Sequence, residues 1–295
     1  MRKVKYPKMS AQPTLEIIFD VPRIEEKLLA KSAKMLGISV RLTNVKKQPL
    51  TFEQPSVGVS LVRCISMYNA VHAAAVREAA SVRAINTSSS IIYSGNKILT
   101  VARLRAAGLP VPRTAVGLAP ESAEKALENV GLPAVDKPPI GSWGRLVALI
   151  KDEQTFRTLL EHREMIPTSI MKAHLIQEYI DLPNRDVRTL VIGDEVLGAI
   201  FRYRGDGEWR TNVARGGQPV TAYLNEELKE LSIKTARAVG GEIVSIDIFE
   251  TVDGSYLVNE VNGVPEFKGL MQATGIDVPE KILEYVRDVR QGRQP

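Results

Sequence analysis

A predicted β-hairpin near the C-terminus constrains the fold of this 295-residue chain more than any other stretch. Residues 244–250 and 255–262 have the alternating and β-branched pattern of short strands, and they flank an Asp-Gly pair at 253–254. Such a pair between two strand-like segments is typical of a two-residue hairpin turn. The sequence therefore predicts an antiparallel pair in which Val252 is opposite Ser255.

This register places two carboxylates face to face. Asp247 lies opposite Glu260, with about 5 Å between their Cβ atoms, and Asn262 projects from the same face because side chains alternate along a strand. Facing carboxylates repel each other unless positive charge lies between them. Two acids and an amide oxygen suit Mg²⁺, which takes further ligands from water and phosphate. An exposed edge with two solvated acids fits the spacing equally well.

The composition is that of an ordinary globular protein, with 44% hydrophobic and 25% charged residues. The net charge of +5 favours an acidic partner, whereas no nucleic-acid-binding motif is present, so nucleic acid is not favoured. No apolar segment approaches the roughly 20 residues that span a bilayer, and the basic N-terminal residues lack the apolar core of a signal peptide. We therefore expect a cytoplasmic protein. The single cysteine, Cys64, excludes disulfide frameworks and cysteine-based zinc sites.

The N-terminal part of the chain predicts a small α/β unit. Alternating strands and helices indicate an open parallel sheet covered by helices. The first strand is not followed by G-x-G-x-x-G, so a dinucleotide cofactor is not indicated. The predicted strands are 15–20, 38–45, 57–64 and 82–86, and the predicted helices are 24–36 and 68–80.

Two lysines stand beside features that suit phosphate groups. Lys97 falls in the first turn of a helix predicted at 94–109, with Ser94 as its N-cap, and a cation there opposes the helix dipole. This lysine is therefore either exposed or close to an anion. Lys137 precedes a loop with two glycines, which can bring backbone N–H groups to phosphate oxygens. The spacing is not that of a Walker A motif, and an ordinary hairpin turn is an equally good interpretation.

A second predicted hairpin, with strands 188–192 and 195–203, concentrates positive charge. So many cations on one hairpin indicate an anion nearby. A simple two-residue turn puts Arg188 and Arg202 on opposite sides of the sheet, so the facing of these side chains stays open. The arginines of this region are Arg185, Arg188, Arg202 and Arg204.

Three longer motifs, together with the order of lysines, acidic strand and arginines, resemble one superfamily across nearly the whole chain. They are SGNKILT at 94–100, KPPIGSWGRLV at 137–147 and NEVNGVPEFK at 259–268. The chain resembles the ATP-grasp carboxylate–amine ligases, and most closely the LysX and ArgX type of the carrier-protein route to lysine and arginine. The resemblance implies a small Rossmann-like α/β domain followed by a two-part ATP-grasp fold. The implied divisions are a basic tail at 1–14, the N-terminal domain at 15–93, and ATP-grasp subdomains at 94–177 and 178–295.

The resemblance also implies a reaction. ATP phosphorylates the C-terminal glutamate side chain of a small acidic amino-group carrier protein of the LysW type. The α-amine of glutamate or α-aminoadipate then attacks the acyl phosphate, which leaves an amide, ADP and phosphate. The implied cofactors are ATP and two Mg²⁺ ions, and a homo-oligomer is expected. The alternatives are a RimK-like glutamyl ligase that acts on another protein or peptide carboxylate, and a non-catalytic nucleic-acid-binding or regulatory protein.

Family motifs carry roles onto residues of this sequence. Two arginines, Arg188 and Arg202, are the implied catalytic residues, because they would balance charge on the γ-phosphate and the acyl phosphate. The implied ATP-binding residues are Lys97, Lys137, Gly141, Ser142, Trp143, Gly144, Arg145, Leu146, Val147, Gln177, Glu178, Tyr179, Ile180, Arg188, Arg202 and Asn212. The implied Mg²⁺ ligands are Asp247, Glu260 and Asn262. The implied amino-acid pocket comprises Val213, Ala214, Val264, Pro265, Glu266, Phe267, Lys268, Gly269 and Leu270.

One departure from the family pattern concerns the choice of amino acid. In the family, Gly-Phe after the EFK motif goes with glutamate, and an asparagine-containing pair goes with α-aminoadipate. This chain has Gly269-Leu270, which matches neither pair completely. The glycine favours glutamate, and acceptance of both substrates is a plausible outcome because one methylene is worth only about 1–3 kcal/mol in a pocket.

Overall fold

The computed structural model describes residues 14–205, 207, 209 and 219–292. The chain divides into two compact units, one formed by residues 1–88 and 279–295 and the other by residues 89–278. The last helix, Val278–Arg290, therefore belongs almost entirely to the N-terminal unit. The motif-based division at 15–93, 94–177 and 178–295 follows sequence order and stays a prediction. Within the described residues, no helix is long and apolar enough to cross a membrane.

The N-terminal unit contains the predicted open parallel sheet, which confirms that part of the sequence analysis. The strand order is β2-β1-β3-β4. Strands β1 and β3 are buried along most of their length, as expected for parallel strands covered on both faces. The elements are β1 (Leu15–Phe19), α1 (Ile24–Met35), β2 (Val40–Asn44), β3 (Val59–Val62), α2 (Met67–Ala79) and β4 (Arg83–Ile85).

A carboxylate lies inside this sheet. Glu16 is completely buried on β1 and accepts hydrogen bonds from Arg77 Nε at 2.7 Å, Thr43 Oγ1 at 2.6 Å and Ser60 Oγ at 2.7 Å. Burial by itself raises the pKa of Glu16, but the bonds from Arg77 and the two hydroxyls outweigh it and leave that pKa below its usual value. The charge is therefore stable inside the sheet only because every partner is present.

The second unit begins with a four-stranded antiparallel sheet, in the order β5-β8-β6-β7. Helices α5 and α6 pack on its core through Ala126, Leu127, Phe156 and Leu160. Helix α6 was absent from the sequence-based description, because its pattern is strongly polar and only its buried face carries large apolar residues. The elements are α3 (Ser88–Gly95), α4 (Lys97–Ala106), β5 (Thr114–Gly117), α5 (Pro120–Val130), β6 (Ala134–Lys137), β7 (Ala148–Ile150), α6 (Glu153–Glu164), a 3₁₀ helix (Ser169–Lys172) and β8 (His174–Glu178).

A five-stranded antiparallel sheet follows in the same unit, in the order β11-β10-β9-β12-β13. One face packs on α7 through residues such as Val191, Val244 and Ile246. The other face, termed the site face here, carries the charged residues Arg188 and Asp247. The elements are β9 (Arg185–Ile192), β10 (Glu195–Tyr203), β11 (Val220–Thr221), α7 (Glu226–Ala238), β12 (Ile243–Glu250), β13 (Tyr256–Asn262) and α8 (Lys268–Thr274).

The predicted pairing of Asp247 with Glu260 is confirmed, although the predicted turn is wrong. The connection is longer than two residues, because Thr251 N donates to Ser255 O and Glu250 is opposite Tyr256. Without any other irregularity, this longer connection would put Asp247 opposite Asn259. A β-bulge between Asp247 and Ile248 shifts the register by one residue and restores the predicted pair.

A second bulge decides the facing of the arginines. The register of β9 and β10 shifts between Val196 and Gly198, so that Asp186 is opposite Arg202. Because Asp186 and Arg188 are two residues apart on one strand, Arg202 lies on the same face as Arg188. The facing that the sequence left open is thus decided by the bulge, which shifts the register beyond the two-residue turn.

The N-terminal boundary of the helix with Lys97 also differs from the prediction. The N-cap is Asn96, whose side chain accepts from the N–H groups of Ile98 and Leu99, and not Ser94. Ser94 lies in the last turn of the preceding helix α3, which ends at Gly95, and its hydroxyl donates to Ser90 O at 2.7 Å. Two helix boundaries within three residues place Lys97 at the first position of α4.

Candidate active site

A cavity lies in the second unit, with an empty volume of about 760 Å³ that includes adjoining space open to solvent. Eleven of the residues predicted to act in the site line it: Lys97, Lys137, Gly141, Gly144, Arg145, Val147, Gln177, Glu178, Tyr179, Ile180 and Glu260. It is also lined by Val135, Leu182, Arg204, Trp209, Phe249 and Asn259, which the motif comparison did not assign. The three motif regions, far apart in sequence, therefore meet at one cavity.

Lys137 is held at the end of β6 by two neutral amide groups. Its Nζ donates to Gln177 Oε1 at 2.6 Å and to Asn259 Oδ1 at 2.7 Å. Burial lowers the pKa of Lys137 to about 8, although Glu260 acts in the opposite direction. No carboxylate forms a direct ion pair with this ammonium within the described residues, so its charge is available to an anionic ligand.

Lys97 is bound to both the glycine loop and the acidic hairpin. Its Nζ donates to Gly141 O at 2.9 Å and lies 3.1 Å from Glu260 Oε1. The backbone N–H of Lys97 also donates to Pro139 O at 2.7 Å. The sequence left two interpretations of this cation at a helix N-terminus, exposure or contact with an anion. The contact with Glu260 supports the second.

Asp247 and the two arginines form a buried network on the site face. Arg188 donates to both carboxylate oxygens of Asp247, at 2.6 and 2.8 Å, and Arg202 lies 2.9 Å from Asp247 Oδ2. Arg202 also makes a bidentate pair with Asp186, at 2.8 and 2.5 Å. Burial by itself raises the pKa of Asp247, but Arg188 and Arg202 lower it to about 2. Two acids and two arginines thus compensate one another.

Arg204 differs from the other arginines on this face. It follows Arg202 by two residues and lines the cavity, but it forms no ion pair with any described carboxylate. Its Nε is buried and has no hydrogen-bond partner among the described residues. The family motifs did not assign a role to Arg204, and its sequence signal was membership of the arginine-rich hairpin.

The glycine loop between β6 and β7 has an irregular backbone. Gly141 and Gly144 have φ values of 141° and 66°, which favour glycine, and Trp143 and Leu146 also have positive φ values. The guanidinium of Arg145 lies 4.8 Å from the Trp143 ring centroid. Ser142, Trp143 and Leu146 do not line the cavity, unlike Gly141, Gly144, Arg145 and Val147.

A buried ion-pair cluster supports the C-terminal side of this loop. Asp136, next to Lys137 on β6, accepts from Arg163 Nη2 at 2.6 Å and lies 3.0 Å from His174 Nδ1. Arg163 also donates to Leu146 O at 3.5 Å. The cluster therefore connects the strand of Lys137 with the loop.

The segment 177–180 borders the cavity at the end of β8. The N–H groups of Glu178 and Tyr179 donate to Arg113 O and Pro133 O, and the Glu178 side chain accepts from Arg113 N at 2.6 Å. Ile180 N–H has no partner in the described part of the chain. Of these backbone donors, Ile180 is therefore the one that remains for a ligand.

The predicted amino-acid pocket is described only in part. Val213 and Ala214 of this pocket lie outside the described residues, as does Asn212 of the predicted ATP site. The remaining predicted positions are Val264, Pro265, Glu266, Phe267, Lys268, Gly269 and Leu270, which run from the end of β13 into α8 and do not line the cavity.

Helix α8 covers the site face of β10. A Cβ at Gly198 would lie 3.1 Å from Leu270 Cδ1, and one at Gly269 would lie 3.5 Å from Ile200 Cδ1. Ile200 is the cross-strand partner of Arg188. Leu270 is buried and packs against Gly198. Its predicted place in the amino-acid pocket stays a prediction.

The hairpin offers an oxygen-rich donor set that fits Mg²⁺. Asp247 and Glu260 are cross-strand partners, and Asn262, opposite Ser245, lies two residues from Glu260 on the same face. Two carboxylates and an amide are hard ligands of the kind that Mg²⁺ takes together with water and phosphate. No group of three or more His, Cys, Asp or Glu residues with metal-binding geometry occurs in the part of the chain that the structure describes.

Two protein families together match nearly the whole chain. Residues 94–286 match the RimK-like ATP-grasp domain, and residues 15–92 match the LysX preATP-grasp domain. The chain belongs to the RimK-like ATP-grasp family. It is an ATP-grasp ligase, and enzymes of this family use ATP and Mg²⁺. The family and fold predicted from the three motifs are thereby confirmed.

Individual relatives cover nearly the whole chain. The glutamate–LysW ligase ArgX of Sulfurisphaera tokodaii is 46% identical over 274 residues, which are 92% of this chain and 97% of that protein. The α-aminoadipate–LysW ligase LysX of the same organism is 35% identical over 280 residues, 93% of this chain and 98% of that protein. The crystal structure of a RimK domain ATP-grasp protein from Sphaerobacter thermophilus matches with a TM-score of 0.76 at 24% identity, covering 92% of this chain and 98% of that one.

Proposed function

We propose that this ATP-grasp ligase joins the α-amine of glutamate to the side-chain carboxylate of a C-terminal glutamate on a small acidic carrier protein. The γ-phosphoryl group of ATP is transferred to that carboxylate and gives an acyl phosphate and ADP. The amine attacks the acyl carbon, an amide bond forms, and inorganic phosphate leaves. No protein nucleophile is needed, since catalysis of this type depends on positioning and charge compensation.

The observation that carries the proposal is the difference in similarity to the two carrier-protein ligases. The chain is 46% identical to a glutamate–LysW ligase and 35% identical to an α-aminoadipate–LysW ligase, with more than 90% of the chain covered in both comparisons. Gly269 agrees with the glutamate branch as well. α-Aminoadipate is the proposed secondary substrate, because one methylene changes kcat/KM only by about 10–200-fold.

The proposed ATP site is the cavity of the second unit. Lys97 and Lys137 bind the phosphates, Gly141–Val147 covers them, and the segment 177–180 borders the adenine. We add Arg204 to the phosphate-binding residues. Its guanidinium is not compensated by a described carboxylate, whereas Arg188 and Arg202 both share Asp247.

Asp247, Glu260 and Asn262 are the proposed Mg²⁺ ligands, and two ions are proposed. When bound, Mg²⁺ neutralises charge on the phosphate oxygens. Asp247 is paired with Arg188 and Arg202. These arginines can bind phosphoryl oxygens only when Asp247 takes another partner in their place. The arginines thus compensate the charge of Asp247 in the free protein.

The proposed partner is acidic, which agrees with the net charge of +5. Steered association of a basic ligase with an acidic protein weakens with salt, because the Debye length contracts from about 14 Å at 0.05 M to about 4 Å at 0.5 M. We therefore expect kcat/KM for the carrier to fall over this range, while KM for glutamate changes little. Equal salt dependence of both parameters would contradict electrostatic docking.

ADP release in the presence of a purified LysW-type carrier tests the function. We expect ADP with carrier and glutamate, less with α-aminoadipate, and none with a carrier that lacks its C-terminal glutamate. Mass spectrometry of the carrier should show the addition of one glutamate residue. ADP release with another protein or peptide carboxylate, and none with the carrier, would favour the RimK-like alternative.

A further inference from the structure

The side chains around Lys137 form a chain of hydrogen bonds with a defined direction. Thr114 Oγ1 donates its single proton to Pro112 O at 2.8 Å. Towards Gln177 it can therefore only accept, and Gln177 Nε2 lies 3.1 Å away. This fixes the orientation of the Gln177 amide, so its oxygen faces Lys137 Nζ at 2.6 Å.

A second amide oxygen approaches Lys137 from the acidic hairpin. Asn259 is the extra residue of the bulge in β13, since Asp247 is opposite Glu260 and Ile248 is opposite Val258. In a regular strand, adjacent residues project to opposite faces. The bulge instead lets both Asn259 and Glu260 line the cavity, and Asn259 Oδ1 accepts from Lys137 at 2.7 Å.

We propose that Thr114, Gln177 and Asn259 are positioning residues that hold Lys137 for the ATP phosphates without neutralising its charge. This inference rests on the proposed role of Lys137 in ATP binding. The two amide oxygens satisfy two of the three ammonium protons, and the third remains for a phosphate oxygen. Carboxylates in these positions would hold the lysine equally well but would cancel its charge and repel the nucleotide.

The arrangement also explains why a buried lysine is tolerated here. Lys137 is 9% exposed, and an unpaired ammonium at such a position is strongly unfavourable. Neutral acceptors stabilise the ammonium in part and leave the remaining stabilisation to the ligand. Binding of ATP is therefore favoured by charge that the folded protein itself leaves uncompensated.

The decisive comparison is between Thr114→Val and Thr114→Ser. Valine has nearly the shape of threonine but cannot accept from Gln177, so the amide is free to rotate and present its NH2 group to Lys137. We expect the Kd for ATP to rise about 5- to 20-fold in Thr114→Val, the effect of weakening one charge-assisted hydrogen bond. Thr114→Ser retains the hydroxyl and should restore binding close to wild type.

Asn259→Asp tests the charge requirement at the other amide. It places a carboxylate against Lys137 with almost no change in shape, and we expect a rise of at least tenfold in the Kd for ATP. Asn129→Asp is the matched control, since Asn129 is exposed on α5 in the same unit and does not line the cavity. It should leave ATP affinity unchanged.

Kd is measured directly by titration calorimetry with Mg-ATP, without carrier or amino acid, and urea unfolding confirms that the variants are folded. KM for glutamate and for the carrier should stay within about twofold, because a loss of ATP binding alone leaves these parameters unchanged. Equal ATP affinity of wild type, Thr114→Val and Asn259→Asp would overturn the positioning role. Failure of the wild type itself to bind ATP would overturn the proposed nucleotide site, and this inference with it.

Discussion

Gly263→Ala tests how the lysine and the acidic hairpin are brought together. Gly263 directly follows β13, and a Cβ at this position would overlap Ser94 Oγ at the end of α3. The Ser94 hydroxyl is buried and donates to Ser90 O at 2.7 Å. Because Lys97 begins the next helix and Glu260 lies three residues before Gly263, this close approach supports their 3.1 Å contact.

The expected loss follows from the two ways in which the overlap can be relieved. Rotation of the Ser94 side chain breaks its hydrogen bond to Ser90 O and leaves a buried hydroxyl unpaired, which costs about 1–3 kcal/mol. Displacement of α3 overpacks its neighbours at a similar cost of about 1–3 kcal/mol. We therefore expect the free energy of unfolding of the second unit to fall by about 1–3 kcal/mol.

Ser94→Ala provides the matched rescue. It removes the overlapping oxygen and keeps the Ser94 Cβ, which lies 3.5 Å from a Cβ at position 263, an ordinary contact. Alone, this change loses one hydrogen bond, worth about 0.5–1.5 kcal/mol. In the Ser94→Ala background, Gly263→Ala should leave the free energy of unfolding almost unchanged. The coupling energy between the two changes should therefore equal most of the loss that Gly263→Ala causes alone.

Urea unfolding followed by tryptophan fluorescence measures this energy. Both tryptophans of the chain, Trp143 and Trp209, belong to the second unit, so the signal reports on that unit. The Kd for ATP should rise in Gly263→Ala and recover in the double variant. Additivity of the two single changes within about 0.3–0.5 kcal/mol would refute the steric argument.

Three further outcomes are expected. Arg77→Met leaves Glu16 buried without its cation and should lower the free energy of unfolding of the N-terminal unit by about 3–5 kcal/mol in urea titrations at pH 7. Because the folded-state pKa of Glu16 is lowered, this stabilisation is fully present above the usual glutamate pKa and is lost as the pH falls through the lower, folded-state pKa. Arg204→Gln should raise the Kd for ATP about tenfold with no effect on adenosine binding. The control is Arg185→Gln, because Arg185 lies on the opposite face and is paired with Glu250, and this change should leave both affinities unchanged. Equal effects of the two variants on the Kd for ATP would contradict the role of Arg204. Gly269→Asn fits sterically, because a Cβ at this position would lie 3.5 Å from its nearest neighbour. It should shift the ratio of kcat/KM for glutamate to kcat/KM for α-aminoadipate towards α-aminoadipate. An unchanged ratio would show that this segment does not set specificity.

Three motifs were sufficient to predict the family, whereas the strand and helix patterns predicted the parallel N-terminal sheet and the pairing of Asp247 with Glu260. The pairing was nevertheless predicted through a wrong turn. The connection after Glu250 shifts the register by one residue, and the bulge at Asn259 shifts it back. Periodicity locates strands well, but it does not reveal a bulge, because a bulge is stabilised by contacts with other parts of the fold.

The same reason limited the description of the site. Sequence reasoning assigned Lys137 and Gln177 from local motifs, but not Arg204 or Asn259, whose roles depend on which face each side chain projects from. A bulge in β10 and another in β13 decide those faces.

By itself, the sequence determined which residues carry charge and which segments form strands, since both depend on residue type and local pattern. Tertiary structure alone decided how those charges are compensated. Arg188 and Arg202 meet at Asp247, Lys97 meets Glu260, and Lys137 is left with two neutral amides, Gln177 and Asn259. Ion pairing depends on distances of a few ångströms between residues far apart in the chain, and only the packed sheets define those distances.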